Sequence, residues 1–198
     1  MSVTRGPTSY KNSYLTLHIT LDGIRPPIWR RVVVPATISL DLLHDMLNLV
    51  MGWEDYHLHE FLFGDFRYTE DPEESEHGED ENGVTLGSLI RGEGMKFKYF
   101  YDFGDDWQHT VKVERIENIP DDHKVRLTCL GGRRACPPED VGGIHGYTRY
   151  LQALADPKHS EHKNMLRWRG RFDPEAFDME AINGELAKLT RWSRSRNR

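Results

Sequence analysis

Cysteine is scarce in this sequence, which has only Cys129 and Cys136 among its 198 residues. Two cysteines are too few for a disulfide framework, and their spacing fits neither a CxxC metal knuckle nor a CxxC redox pair. We therefore expect two reduced thiols, with metal ligation as the alternative.

Long apolar runs are also lacking. No stretch approaches the roughly 20 consecutive apolar residues of a membrane helix, and the start, MSVTRGPTSY, has no apolar signal-peptide core. These two absences exclude a membrane role and predict a cytoplasmic protein.

Common catalytic motifs are missing as well. The sequence has no GxSxG elbow, no Gly-Lys-Ser/Thr phosphate loop and no GxGxxG element, and neither cysteine sits in a Cys-His signature. A covalent mechanism is therefore not expected, and no named DNA-binding motif is present.

Lys and Arg are absent from residues 70–81, which carry eight carboxylates. This run accounts for more than the whole net charge of −6, so the remainder of the chain is at +2. We expect an acidic loop over residues 69–83. The acidic balance excludes no partner, and both protein and nucleic acid remain open.

The pattern of apolar residues predicts the first elements. Alternation over residues 14–21 indicates a strand, and residues 28–34 form a second extended run after a Pro-Pro pair. Helical spacing over residues 40–51 predicts a helix, and residues 57–68 return to extended structure. Residues 96–116 read as a β-hairpin turning at Gly104-Asp105-Asp106.

The second half reads as a Gly- and Pro-rich structured loop over residues 129–146, followed by helices. This order predicts an α+β fold with a mixed or antiparallel sheet: a β-grasp-like hairpin-helix-strand-hairpin core with added C-terminal helices. We expect a flexible N-terminus over residues 1–13 and a single domain over residues 14–190. Its helical part covers residues 145–190, and a basic tail follows over residues 191–198.

Histidines and aspartates of two predicted strands suggest a site. Strand alternation puts His57 and His59 on one face, and His109 follows the hairpin turn closely. A candidate metal set is His57, His59, Asp102 and His109, with Asp105 and Asp106 beside it. The structural alternative is a set of neutral packing histidines and ordinary turn-forming aspartates.

The glycine-bounded loop GGRRACPPEDVGG adds Arg133, Arg134, Glu139 and Asp140. The arginines suit anionic groups, and the glycines let backbone amides approach a ligand. Ion pairs within the loop are the structural alternative.

Basic residues interleaved with aromatics could follow a phosphate backbone. Arg167, Arg169 and Arg171 surround Trp168, and Arg194 and Arg196 lie in the tail. They form the candidate nucleic-acid set.

Four strings carry a resemblance: IRPPIWRRVVVP, LHDMLNLVMGWEDYHLHEF, YDFGDDWQHTVKVE and CLGGRRACPPEDVGGIHGY. Together they resemble the plasmid pRiA4b ORF-3-like family, from about Tyr14 to about Leu189. The resemblance implies an α+β fold and an association with plasmids and insertion elements. Its members are mostly uncharacterised, and some carry a resolvase-like label. The residue sets of serine and tyrosine recombinases are absent from this sequence.

Three functions follow as hypotheses, with enzyme status left open. The first is a binding module, connected with mobile elements, whose polar cleft carries His57, His59, Asp102, Asp105, Asp106, His109, Arg133, Arg134, Glu139 and Asp140. The second is a hydrolase or nuclease that uses a divalent metal. The third is a DNA-binding accessory protein.

Overall fold

The computed structural model describes residue 10 and residues 12–73, 77–118 and 126–196, the last five by backbone alone. Within these residues the order of elements is β1 (Ser13–Leu21), β2 (Ile28–Pro35), α1 (Leu40–Met51), β3 (His59–Phe63), β4 (Phe66–Thr69), β5 (Gly78–Asp80), α2 (Leu86–Leu89), β6 (Lys96–Tyr101), β7 (Trp107–Asn118), β8 (Thr128–Arg133), α3 (Gly143–Ala155), α4 (His162–Arg169) and α5 (Met179–Arg196).

All eight strands join one sheet in the order β5-β4-β3-β6-β7-β1-β2-β8. The β4–β5 pair is parallel and the other pairs are antiparallel. The α+β class with a mixed sheet is therefore confirmed, and the finer β-grasp-like description stays a prediction.

The alternation in β1 separates its two faces as the sequence pattern predicts. Leu15, Leu17, Ile19 and Leu21 are all buried, because every second side chain points to the same side of a strand. A shift of register between β1 and β7 occurs at Thr16/Leu17. The buried side of this central strand lies in the main core.

Helix α1 packs against the same core through Leu40, Leu43, Leu47 and Met51, all buried. It ends at Gly52, whose φ of 95° lies in the left-handed region that glycine adopts without strain. The predicted helix is confirmed. His44 and Asn48 are buried on α1 too, so the helix brings polar groups into the core.

Arg30 ties β2 to the end of α1. Its side chain is only 3% exposed, and its Nε donates to the carbonyl of Val50 at 2.6 Å. Its Nη1 donates to the carbonyls of Trp29 and Arg133, both at 2.9 Å. A cation at the C-terminal end of a helix also interacts favourably with the helix dipole.

Two segments expected to be loops contain strands. β8 occupies the start of the predicted loop 129–146 and pairs with β2, because the free edge of β2 supplies backbone partners even to a glycine-rich segment. β5 lies inside the acidic run 69–83 and pairs in parallel with β4. Residues 74–76 of that run lie outside the described residues.

The C-terminal helices complete the core. Leu186 of α5 is fully buried, and α5 contacts both β8 and α1. The same helix continues to Arg196, within the segment expected as a basic tail. Of the helices in the described ranges, none has the length and apolar character needed to cross a membrane.

Candidate functional site

The turn of the β6–β7 hairpin directs one carboxylate oxygen of Asp102 towards His57. Asp102 has a φ of 56°, a left-handed conformation that aspartate tolerates better than most residues. Its Oδ1 accepts hydrogen bonds from the amides of Gly104 (2.9 Å) and Asp105 (3.2 Å). The amide of Asp102 donates to the carbonyl of Leu58 at 3.0 Å, which ties the turn to the segment before β3. The second oxygen, Oδ2, lies 3.6 Å from Nε2 of His57.

The loop after β8 contributes Glu139, which is 3% exposed. Its Oε1 accepts hydrogen bonds from the hydroxyl of Tyr101 (3.0 Å) and the amide of Glu54 (2.9 Å). Its Oε2 is buried and has no hydrogen-bond partner. One carboxylate oxygen of Glu139 is therefore held by hydrogen bonds of the fold, while the other is free to bind a ligand in the site.

His57 faces three carboxylates at once. Its Nε2 lies 3.6 Å from Oδ2 of Asp102, 3.7 Å from Oε2 of Glu139 and 3.2 Å from Oδ1 of Asp140. This nitrogen is also buried without a hydrogen bond. We call His57, Asp102, Glu139 and Asp140 the acid–histidine cluster.

The cluster is rich in negative charge. Ligand atoms of His57, Asp102 and Glu139 all lie within 4.8 Å of one another. Across the described residues, no Lys or Arg forms an ion pair with a cluster carboxylate. Arg169 reaches the same loop, but its Nη2 donates to the backbone carbonyl of Glu139 and its Nη1 lies 3.6 Å from Oε1 of Glu54. Burying carboxylate oxygens without a donor or a cation is unfavourable, so the arrangement suits a positive ion.

The hairpin turn and the glycine-bounded loop meet closely beside this cluster. The amide of Gly142 donates to Oδ2 of Asp105 at 3.0 Å. A Cβ at Gly143 would lie 2.6 Å from the carbonyl oxygen of Asp105, so only glycine allows this approach. Asp106 accepts instead from the side chain of Gln108. Asp105 and Asp106 thus shape the site without facing His57.

His59 belongs to a separate polar group, the histidine stack of His44 and His59. Their rings lie parallel, with centroids 3.5 Å apart. His59 Nε2 lies 2.9 Å from Glu81, and His44 lies 2.7 Å from Asp55 and 2.8 Å from the hydroxyl of Tyr99. Burial, and then the charge of His59, lower the pKa of His44 to about 4, although Asp55 opposes the shift. His44 is therefore neutral near pH 7.

His109 packs inside the core. It is fully buried, lies edge-on to Trp53 and has its Nδ1 3.2 Å from the carbonyl of Tyr99. Burial lowers its pKa to about 4. The predicted metal set of His57, His59, Asp102 and His109 is therefore divided: the structure brings His57 and Asp102 together, whereas His59 and His109 have other neighbours.

His57 and His59 have different neighbours because of where strand β3 begins. β3 begins at His59, so His57 lies before the strand and strand alternation does not apply to it. His59 points into the core with Phe61, as the alternation requires.

Within the described residues, neither loop arginine forms an ion pair with a carboxylate of the cluster. Arg134 pairs with Glu175 at 2.5 Å, and Arg133 is an exposed residue at the end of β8. The expected pairing of these arginines with Glu139 or Asp140 is not among the ion pairs of the described residues. Arg167 and Arg169 lie on α4 and Arg171 follows it. The side chains of Arg194 and Arg196 lie outside the described residues.

Sequence reasoning missed Asp55, Glu81 and Tyr101. Glu81 sits in the acidic run, where composition suggests solvent exposure, yet it is 4% exposed and bonded to His59. Tyr101 alternates as an ordinary strand aromatic, but its hydroxyl joins Glu139 to the amide of Tyr56. No local signal distinguishes these residues, because their partners lie on other elements, from 7 to 45 residues away in sequence.

Fold and site together define a class: an α+β protein with one mixed sheet, helices packed on its core face, and a partly buried acid–histidine cluster beside a hairpin turn. More particularly, the chain belongs to the plasmid pRiA4b ORF-3-like protein family, whose model matches residues 13–181. The resemblance seen in the sequence is confirmed.

Similar proteins include one sequence relative and one solved structure. The uncharacterized protein y4hQ of Sinorhizobium fredii is 40% identical over 192 residues, which cover 94% of this chain and 97% of that protein. A crystal structure of a protein of unknown function, MM3350 from Methanosarcina mazei Go1, is similar with a TM-score of 0.77 and 35% identity. The match covers 85% of this chain and 97% of that one. Neither name states an activity.

Proposed function

We propose that this protein is a divalent-metal-binding module whose ion is held by His57, Asp102 and Glu139, with Asp140 as a further ligand. The observation that carries the proposal is Oε2 of Glu139, a buried carboxylate oxygen without a hydrogen bond that faces an equally unbonded Nε2 of His57. A cation between these atoms would satisfy both.

The separations support this proposal. Metal bonds of about 2.0–2.2 Å place neighbouring ligand atoms about 3.3–3.6 Å apart in a tetrahedral site and about 3 Å apart in an octahedral one. The three distances from His57 Nε2 to the carboxylates run from 3.2 to 3.7 Å. One imidazole and three carboxylates suit Zn²⁺ or Mn²⁺.

The test uses tag-free, full-length protein stripped with a chelator and then titrated with Zn²⁺ and Mn²⁺ by calorimetry. Glu139→Gln keeps the oxygen that accepts from Tyr101 and Glu54 and replaces the other oxygen by an amide. Asp102→Asn likewise keeps the oxygen that holds the turn. Each change should weaken binding on the order of 100-fold, because a ligand contributes roughly 3 kcal/mol.

Glu79→Gln on the exposed strand β5 is the matched control, since it removes the same charge away from the cluster. The wild type should gain about 2.7 kcal/mol in its free energy of unfolding at a free-ion concentration 100-fold above Kd. Absence of binding by the wild type, or unchanged binding by Glu139→Gln, would overturn the proposal.

A hydrolytic role is the second candidate, and the exposure of Asp140 favours it. The side chain of Asp140 is 64% exposed and that of His57 is 27% exposed, so an ion there would face solvent. Zinc enzymes use such an open position for the water that attacks the substrate. Metal-dependent turnover of a model phosphodiester by the wild type, compared with Glu139→Gln, is the measurement.

We also propose a cytoplasmic location, an association with mobile elements, and a single domain over residues 14–190 followed by a basic tail. The expected flexible N-terminus of residues 1–13 lies mostly outside the described residues.

A further inference from the structure

A cleft of about 270 Å³ lies between α3 and α4, next to the acid–histidine cluster. We call it the α3–α4 cleft; its lining includes Asp140, Arg149, Tyr150, Asn164, Met165 and Trp168. Its volume is close to the lower end of the ~300–1,000 Å³ typical of small-molecule sites. Because Asp140 belongs to both, a ligand in this cleft would reach the edge of the cluster.

Tyr150, which lines the cleft, has an unpartnered hydroxyl. The residue is only 1% exposed. Buried hydroxyls in proteins are normally bonded. An acceptor atom on a bound molecule would satisfy this one.

The cleft also offers an aromatic surface. Trp168 is 42% exposed and stands edge-on to Tyr150, with ring centroids 5.7 Å apart. The guanidinium of Arg169 lies 5.2 Å from the Trp168 ring. Exposed tryptophan rings that border a cleft are suited to stacking with planar rings.

The surrounding charge is positive although the chain is negative. Residues 146–172, which contain α3 and α4, have six Lys and Arg against two carboxylates, whereas the whole chain carries −6. Arg149 and Lys163 are exposed on these helices. Only Glu161 is paired with Arg149 among the described residues, at 3.4 Å. This local excess favours an anionic ligand.

We infer that the α3–α4 cleft binds a nucleotide unit, with the base against Trp168, an acceptor atom on the Tyr150 hydroxyl and the phosphate towards Arg149. A nucleotide combines a planar ring, polar edges and a negative charge, and the cleft offers a partner for each. The unit belongs either to a free nucleotide or to a single strand. The inference does not depend on metal binding at the acid–histidine cluster.

The probes are adenosine monophosphate, studied by calorimetry, and a fluorescein-labelled single strand of about 12 nucleotides, studied by anisotropy. Both are measured on the full chain at low salt with a chelator present, so that the result is separate from metal binding. Binding of the mononucleotide identifies a free nucleotide as a ligand, and binding of the strand alone identifies a nucleic acid. Either result supports the inference.

Three variants examine the parts of the cleft. Trp168→Ala should raise the Kd about tenfold or more, and Trp168→Phe should restore most of the affinity. Tyr150→Phe removes only the hydroxyl and should raise the Kd about threefold. Arg149→Gln should weaken binding of the single strand. The plot of log association constant against log salt concentration should also become less steep, by about one unit of slope.

Arg115→Gln, at an exposed arginine of β7, is the matched charge control, and circular dichroism confirms that each variant is folded. The inference is overturned if the wild type binds neither probe. It is equally overturned if Tyr150→Phe and folded Trp168→Ala bind like the wild type, or if Arg115→Gln and Arg149→Gln lose affinity equally, which would indicate diffuse electrostatic attraction.

Discussion

Asp102 and Glu139 each use one carboxylate oxygen for the fold and direct the other at His57. Asp102 holds its own turn, and Glu139 holds the hydroxyl of Tyr101 and the amide of Glu54. Their geometry is thus set before any ligand arrives, which is the preorganisation that a binding site needs. Because each residue uses only one oxygen for the fold, replacing its carboxylate by an amide alters the oxygen that faces His57 and keeps the hydrogen bonds that hold the fold.

The buried histidines should make stability depend on pH. Burial lowers the pKa of His109 to about 4, whereas an unfolded histidine titrates near 6.5. Between pH 6.5 and pH 4, His109 binds a proton in the unfolded state but not in the folded state. The free energy of unfolding therefore falls as the pH drops towards 4. The expected loss from His109 is on the order of 3 kcal/mol. His44, also lowered to about 4, acts in the same direction.

Urea unfolding of His109→Gln at several pH values measures this loss. Glutamine can still donate to the carbonyl of Tyr99, but it does not titrate, so the variant should lose less stability than the wild type between pH 7 and pH 4. His145→Gln on the exposed part of α3 is the control. Parallel pH profiles for wild type and His109→Gln would contradict the prediction.

At the scale of elements, strand β8 contains two adjacent glycines with different surroundings. A Cβ at Gly132 would lie 2.5 Å from the ring of Phe177 and 2.9 Å from Cδ of Arg30, which three carbonyls hold in place. A Cβ at Gly131 would meet only Trp29, at 3.8 Å. Close approach between β8 and the segment before α5 is therefore possible at Gly132 only without a side chain.

Gly132→Ala should lower the free energy of unfolding by about 1–3 kcal/mol, because overpacking displaces Phe177 or Arg30. Gly131→Ala, in the neighbouring position, should be neutral or stabilise by about 0.5–1 kcal/mol, because alanine restricts the unfolded chain. Urea midpoints of the two variants make the comparison. Equal effects would show that packing at Gly132 does not limit the strand.

At the scale of the whole molecule, the sheet order brings distant segments to one place. β3, β6 and β7 are neighbours in the sheet, so the segment before β3 meets the turn between β6 and β7. The loop after β8 reaches the same end from the opposite edge of the sheet. The positive helices α3 and α4 follow that loop directly, which places the α3–α4 cleft beside the acid–histidine cluster.

The proposed single domain predicts that α5 unfolds with the sheet. Leu186 of α5 is fully buried, so Leu186→Ala should lower the free energy of unfolding by about 2–5 kcal/mol. Leu130→Ala, at a leucine 51% exposed on β8, should change it by roughly 0.5 kcal/mol or less. Tryptophan fluorescence and far-ultraviolet circular dichroism should report one coincident transition. Two separate transitions would show that the helices form an independent unit.

The sequence by itself determined the α+β class, strand β1, helix α1 and the β6–β7 hairpin. It did so because alternation, helical spacing and turn residues are local signals with a direct physical meaning. It also predicted a polar cleft of ten residues, of which His57, Asp102, Glu139 and Asp140 form the acid–histidine cluster. Glycine-rich β8 and acidic β5 carry no such signal, since their strand structure depends on the backbone of a neighbouring strand.

Only the tertiary structure decided which polar residues meet. The start of β3 at His59 separates His57 from His59, and a buried Glu81 partners His59 from within a run that composition marks as exposed. Sequence spacing cannot supply this information, because the direction of a side chain depends on where a strand begins and on partners many residues away.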